Sequence, residues 1–267
     1  KLMVANSSVN QGAGFLVTSL AEARRRGLPD ERLVFVGHGA GAQEPYDPLA
    51  RDRYDRSPSM IASLTAALEF NGIEAGELDA VELYSCFPCV PQMARRVLGW
   101  DIDRPMTVFG GLTFGGGPVA NYMSHTVACM TEKLRGTPAK GLLYANGGIV
   151  TTNHTIVLSG APIPAAAFPK SSDVQARADA ARGPVPPMRT DHIGPVTIET
   201  YAVHYDRQGA PRGGAVMGRT PDGARTLAHV RPEDADLVAF LTDGAAEPVG
   251  APGGVASADG KRIFVAK

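Results

Sequence analysis

The sequence predicts a layered α/β unit followed by a small β-barrel, and three observations carry that prediction. Short apolar runs alternate with helical stretches up to residue 160. Two stretches, 105–130 and 141–169, contain no Asp, Glu, Lys or Arg and therefore belong inside the fold. From residue 194 onward the chain changes to alternating strand patterns separated by Asp-Gly turns. Neither uncharged stretch reads as a membrane span, because Gly110, Gly111, Gly115, Gly116, Gly117, Asn121, Asn146, Asn153 and Pro162 interrupt the apolar character.

The elements follow in order. Lys1 runs straight into Leu2, Met3 and Val4, which read as the middle of a strand with no signal peptide before it. The first residue is not Met, so the expectation is the C-terminal part of a longer polypeptide. Residues 13–19 (AGFLVTS) read as a buried strand, 20–27 as a basic helix stopped by Gly27, and 33–36 as a second strand. Residues 40–58 read as a long polar loop. Ser57-Pro58 then opens a helix, with Ser as cap and Pro in the first turn, carrying Met60, Ile61, Leu64, Ala67 and Leu68 and ended by Asn71-Gly72. A strand is expected at 79–84, and a helix from Pro91 through Leu98 to Gly99. A Gly-Gly-Gly-Pro turn at 115–118 should feed a helix over 119–134, with further strands at 141–144 and 155–158. The Ala- and Pro-rich segment 161–193 reads as a linker. Runs at 196–203, 214–218, 226–230, 237–241 and 262–266 give five short strands, a small barrel of the OB type over 194–267.

Composition narrows the function. Lys plus Arg 26 against Asp plus Glu 27 leaves a net charge of −1, which removes the electrostatic argument for nucleic acid or an anionic membrane. Tyr201, Tyr205 and Phe264 without a basic excess do not make the barrel a single-strand binder. Three cysteines cannot form a disulfide framework, so a reducing, cytoplasmic setting is expected. Cys86-Phe-Pro-Cys89 has the CxxC spacing, yet no second pair or nearby His follows, so no metal site is expected. A redox pair and two buried thiols remain as its readings. His125 and His154 read as hydrogen-bonded core histidines, and Arg24, Arg25 and Arg26 as a solvated helix face.

The most informative segment is 109–118 (FGGLTFGGGP) entering a helix. Its glycines serve either close helix–sheet packing or close backbone approach to a ligand. It is neither a P-loop nor a dinucleotide fingerprint.

Three further places join it in order and spacing: 5–13 (ANSSVNQGA), 81–88 (VELYSCFP) and 144–148 (YANGG). Together the four resemble the thiolase superfamily, namely the segment that closes its N-terminal half and begins its last strand, and its Val-Glu-x-Asn-Glu-Ala-Phe, Asn-Gly-Gly-Ala-Ile-Ala-Leu-Gly-His-Pro and Cys-x-Gly-Gly-Gly motifs. The Tyr-Ser-Cys-Phe-Pro pattern, Gly-Gly-Gly-Pro and the added β domain resemble the thiolase-like proteins of type 1, named acetyl-CoA acetyltransferases by homology. The resemblance implies an α/β/α C-terminal half with a mixed sheet over 1–160, whose N-terminal partner half, bearing the nucleophilic cysteine, is not in this sequence. It also implies CoA or an acyl-CoA as ligand, no covalently bound cofactor, a place in lipid metabolism, and leaves a homodimer open.

The same resemblance argues against thiolase chemistry. The Gly-His-Pro histidine falls on Gly117, the acid/base cysteine on Tyr144, and the water-orienting Asn on Tyr84. Loss of one oxyanion donor costs on the order of 100–1000-fold. Candidate ligand contacts are Ser7, Gly115, Gly116, Gly117, Asn146 and Gly147. Tyr84 and Tyr144 are the candidate catalytic residues, either for a retro-aldolase acting on a β-hydroxyacyl-CoA, where a phenol of pKa near 10 needs strong tuning, or merely as space-filling rings. A non-catalytic acyl-CoA-binding scaffold is the remaining alternative.

Overall fold

The computed structural model describes residues 5–118, 121–164 and 168–266, and divides them into two compact units. The first comprises Lys1–Pro48 with Asp55–Arg182, the second Leu49–Tyr54 with Gly183–Lys267.

In the first unit, four strands form a mixed sheet in the order β1-β4-β3-β2: β1 (Phe35–Gln43), β2 (Ala80–Leu83), β3 (Lys140–Gly147) and β4 (Thr152–Ser159). Only β2 and β3 run parallel, Leu83 standing opposite Tyr144. Side-chain alternation divides the sheet's two faces. Val81, Leu83, Leu142, Tyr144 and Val157 point toward α2 (Pro58–Phe70) and α3 (Cys89–Leu98), meeting Met60, Leu64, Val90, Ala94 and Leu98. Ala80, Leu143 and Leu158 pack on the other side against Met130 and Leu134 of α5 (Tyr122–Leu134). This is the expected α/β/α layering.

Several elements form for the reasons read in the sequence. The Ser57 hydroxyl accepts from the Met60 N–H to cap α2, with Pro58 in the first turn. Ser19 caps α1 (Leu20–Arg25) in the same way, and the Arg24–Arg26 face is exposed, paired with Asp30 and Glu22. α3 ends on a left-handed Gly99 but starts two residues earlier than Pro91.

Other expectations are corrected. Residues 13–19 form no strand: Leu16 is fully exposed and Phe15 and Val17 are largely so, because no neighbouring strand in the described chain offers backbone partners. β1 continues through Gln43, into the segment read as loop, because its small residues let β4 pair closely. The strand read at 2–4, and the first residues of the helix read at 119–134, lie outside the described residues. Within the segment read as a linker, α6 (Gln175–Ala181) packs Ala178 and the preceding Val174 against Ala62, Ala66 and Ala67 of α2.

The second unit is a closed five-stranded barrel in the order β5-β6-β7-β9-β8: β5 (Gly194–Tyr205), β6 (Pro211–Arg219), β7 (Arg225–Val230), β8 (Pro252–Ala258) and β9 (Lys261–Ala266). The run at 237–241 is not a strand. It lies in the helix α7 (Ala235–Thr242), whose Leu237, Val238 and Leu241 share one apolar face on the barrel core with Val196, Val216 and Phe264. The fifth strand is β8 instead.

Candidate functional site

In an open α/β sheet, ligands bind beyond the carboxyl ends of the strands. Here those ends are β2 and β3. Past Leu83 the Tyr84 N–H donates to the Tyr144 carbonyl at 3.1 Å, and the chain then turns through Ser85 and Cys86 into α3. The Cys86 Sγ–H donates to Asn146 Oδ1 at 3.2 Å, tying the turn to the end of β3. The Asn146 Nδ2 is buried and has no partner among the described residues. Gly147 follows, its carbonyl accepting from the Thr151 N–H in the turn to β4.

The glycine segment is held over this edge by a buried carboxylate. Glu82, fully buried within β2, accepts from Thr107 Oγ1 at 2.8 Å, the Val108 N–H at 2.9 Å, the Phe109 N–H at 3.2 Å and the Tyr122 hydroxyl at 2.5 Å. Thr107 Oγ1 in turn accepts from the N–H groups of Phe109, Gly110 and Gly111. The chain next forms the single turn α4 (Gly111–Phe114), and the Leu112 N–H reaches Ser85 Oγ at 3.0 Å.

The segment 5–11 lies along the glycines. The Gly117 N–H donates to the Asn6 carbonyl, the Asn6 N–H to the Leu112 carbonyl, and Gln11 Nε2 to the Gly115 carbonyl. Gly116 has a left-handed φ of 79°, and a Cβ there would collide with Val9, so this position requires glycine for both conformation and space. Ser7 is exposed in the same segment.

The structure thus brings Gly115, Gly116 and Gly117 together with the segment holding Ser7, and Asn146 and Gly147 together with Cys86. It does not bring the two candidate phenols together. The Tyr84 ring stands edge-on to Tyr122 on the α5 side, at 5.4 Å between centroids. Tyr144 is fully buried on the opposite side among α2 and α3 residues, its hydroxyl donating to Asn153 Oδ1 at 2.5 Å. That contact opens a buried chain: Asn153 Nδ2 donates to Ser59 Oγ, and Ser59 Oγ to Glu44.

Burial pushes the Tyr144 phenol well above its ordinary pKa, with Cys86 and Glu44 adding to the shift. Burial likewise raises Tyr84 and Cys86. At neutral pH all three are uncharged acids, so none is poised as a base or thiolate nucleophile. Proton transfer by Tyr144, which the retro-aldolase reading needs, meets a hydroxyl without access to solvent. His125 is a buried histidine as expected, its Nδ1 facing the Asn121 carbonyl at 3.0 Å and its ring stacked on Phe109. His154, expected in the core, is exposed instead because its position on β4 alternates with buried Asn153 and Thr155. No group of three or more His, Cys, Asp or Glu side chains able to hold a metal ion occurs among the described residues. Nor does any helix of theirs have the length and apolar character to cross a membrane.

Glu82 and Asn153 were missed by sequence reasoning. Glu82 carried a signal, a single charge inside an otherwise apolar strand; Asn153 carried none.

Known proteins match this arrangement. Residues 173–261 match the thiolase-like protein type 1 additional C-terminal domain, a match that begins within the segment read as a linker. Over 145 residues, 53% of this chain, the sequence is 31% identical to an acetyl-CoA acetyltransferase of Schizosaccharomyces pombe and covers 34% of that protein. A crystal structure of a monomeric SCP2-thiolase like protein type 1 from Mycobacterium smegmatis superposes with a TM-score of 0.77 at 31% identity, over 93% of this chain and 54% of that one. Fold and sequence comparisons therefore support a thiolase-like chain. More particularly, the chain is similar to thiolase-like proteins of type 1, with residues 173–261 matching their additional C-terminal domain. It spans about a third of the yeast relative and about half of the mycobacterial one.

Proposed function

We propose that this chain supplies the ligand-holding C-terminal half of a thiolase-like protein, which binds CoA or an acyl-CoA thioester without classical Cys-His-Cys chemistry. The observation that carries this reading is the Asn146 amide. Its oxygen is engaged by the Cys86 thiol, while its nitrogen is a buried donor with no partner among the described residues, at the carboxyl end of β3. A buried donor left unpaired costs about 1–3 kcal/mol, and a thioester carbonyl would remove that cost. Gly115, Gly116 and Gly117 beside the segment of Ser7 give the pantetheine arm a surface without side chains to cross. Uncharged Cys86 and Tyr84 favour binding over turnover, and a CoA thioester as ligand assigns the protein to acyl-group and lipid metabolism.

The test is calorimetric titration of acetyl-CoA into this chain carried within a polypeptide as long as its mycobacterial relative, of which it covers 54%. Saturable binding is expected, with Asn146→Ala weakening it about tenfold, the equivalent of about 1.4 kcal/mol. No free CoA should appear from acetoacetyl-CoA beyond background. Absence of binding at millimolar ligand, or unchanged affinity in Asn146→Ala, would remove the reading.

A further inference from the structure

We propose that the groove between α2 and α3 binds a single alkyl chain ending in a carboxylate, a medium-length fatty acid. This site is separate from the CoA reading, since none of its lining residues belongs to the glycine segment or to the ends of β2 and β3. The groove has a volume of about 340 Å³, at the small end of the range of small-molecule pockets, and its lining lies within the first compact unit. Its walls follow helical spacing. Ile61 and Thr65 stand one turn apart on α2, and Met93 and Val97 one turn apart on α3. Met60 is buried, whereas Ile61, Met93 and Val97 are half-buried and keep apolar surface open to the groove. Two thioethers and two branched side chains make an apolar channel that adapts to a flexible chain. From Ser57 to Thr65 the lining follows about 12 Å of helix, the length of an extended chain of about ten carbons.

The charge on the groove sets the head group. Asp55, Arg56 and Arg96 are the charged side chains of its lining, an excess of one positive charge. Arg56 already donates to the Ala181 carbonyl. Arg96 is exposed on α3, and among the described residues its guanidinium has no hydrogen bond or ion pair. A carboxylate pairs with a guanidinium through two parallel N–H···O bonds, which makes Arg96 the anchor beside the apolar wall of Met93 and Val97. The first turn of α2 is not available for the head group, because Ser57 Oγ caps the Met60 N–H and Glu44 takes the Ser59 N–H. An uncharged alcohol of the same length meets the same channel without the ion pair.

The experiment titrates the whole chain, its methionine methyl groups carrying carbon-13, with sodium decanoate below its micelle concentration and follows the methyl signals by NMR. Of the eight methionines, Met60 and Met93, assigned through Met60→Leu and Met93→Leu, should shift along one saturable curve while the rest stay still. Affinity should rise roughly tenfold for each two carbons from hexanoate to decanoate, then level off as the groove fills. Decanol should bind about tenfold more weakly, and Arg96→Gln should weaken decanoate by the same factor while leaving decanol unchanged. Arg96 is exposed and holds no other side chain, so this variant keeps the fold. Decanol or decylamine binding as tightly as decanoate, unchanged affinity in Arg96→Gln, shifts spread over all the methionines, or a lack of saturation would each overturn the proposal. So would Met60 and Met93 signals that answer to protein concentration and not to decanoate, which would put a second copy of the chain on the groove.

Discussion

Glu82 shows how one residue fixes a whole loop. A charge inside a strand is costly unless its oxygens are filled, and here the Thr107 and Tyr122 hydroxyls and two backbone N–H groups fill them. Through Thr107 the same carboxylate orders the backbone of Phe109, Gly110 and Gly111. It also pushes the Tyr122 phenol up, after the larger effect of burial, so that hydroxyl remains a donor at any physiological pH. Glu82→Gln replaces an acceptor by an N–H2 facing donors and should cost about 3 kcal/mol, as lost bonds to a buried charged group do. Tyr122→Phe removes one donor only and should cost about half as much. Urea unfolding of the two variants checks the order; a Glu82→Gln midpoint at or above that of Tyr122→Phe would contradict the role given to the carboxylate.

Glu44 works between elements. Standing just beyond β1, it accepts from the Ser57 and Ser59 hydroxyls and the Ser59 N–H in the first turn of α2, and pairs with Arg182 at the end of α6. Burial raises its pKa, but the Ser59 and Ser57 bonds and Arg182 outweigh burial, and the net value falls below the ordinary 4.5. A folded pKa below the unfolded one adds stability above the unfolded value, and that stability is lost as pH falls through the folded value. Glu44→Gln should therefore be less stable than the parent at pH 7, with the difference shrinking below pH 4.5 in pH-dependent urea melts. A constant difference down to pH 3 would refute the linkage. The partners of this network were not legible in the sequence, although its helix was. Ser57-Pro58 and Asn71-Gly72 mark both ends of α2 because caps are local chemistry. The apolar run at 237–241 fits a strand and a helix equally, and the barrel's packing chose the helix. β8 was missed because Gly253, Gly254 and Ala256 show no apolar alternation; its pairing with β5 and β9 makes it a strand. In the site, the glycines and Asn146 were readable as types. The opposed directions of Tyr84 and Tyr144 depend on strand register, which their spacing does not state.

The chain as a whole holds a barrel that is not continuous in sequence. Residues Leu49–Tyr54, encoded between β1 and α2, belong to the same compact unit as Gly183–Lys267. Their anchor is Arg225 on β7, a guanidinium with no exposed surface. It grips Glu199 through Nε and Nη2 at 2.8 and 2.7 Å, donates to the carbonyls of Leu49, Arg51 and Asp52, and lies 4.5 Å from the centre of the Tyr54 ring. Bidentate pairing with Glu199 satisfies two of the five guanidinium N–H groups, and the three borrowed carbonyls satisfy the rest. A fragment starting at Gly183 keeps the Glu199 pair but loses those acceptors. It should be less stable by on the order of 3 kcal/mol, the worth of one or two bonds to a buried charge, a large share of the roughly 5–15 kcal/mol that holds a domain folded. The Gly183 N–H donates to Asp52 Oδ2 at 2.7 Å, so the ends to be joined lie close together. Fusing residues 49–54 ahead of Gly183 through a short Gly-Ser bridge should then restore the loss, and Arg225→Met in that fusion should abolish the restoration. Circular dichroism in urea compares the three polypeptides directly. Equal midpoints for the bare fragment and the fusion would mean that the six residues merely lie on the barrel and that Arg225 needs nothing beyond Glu199.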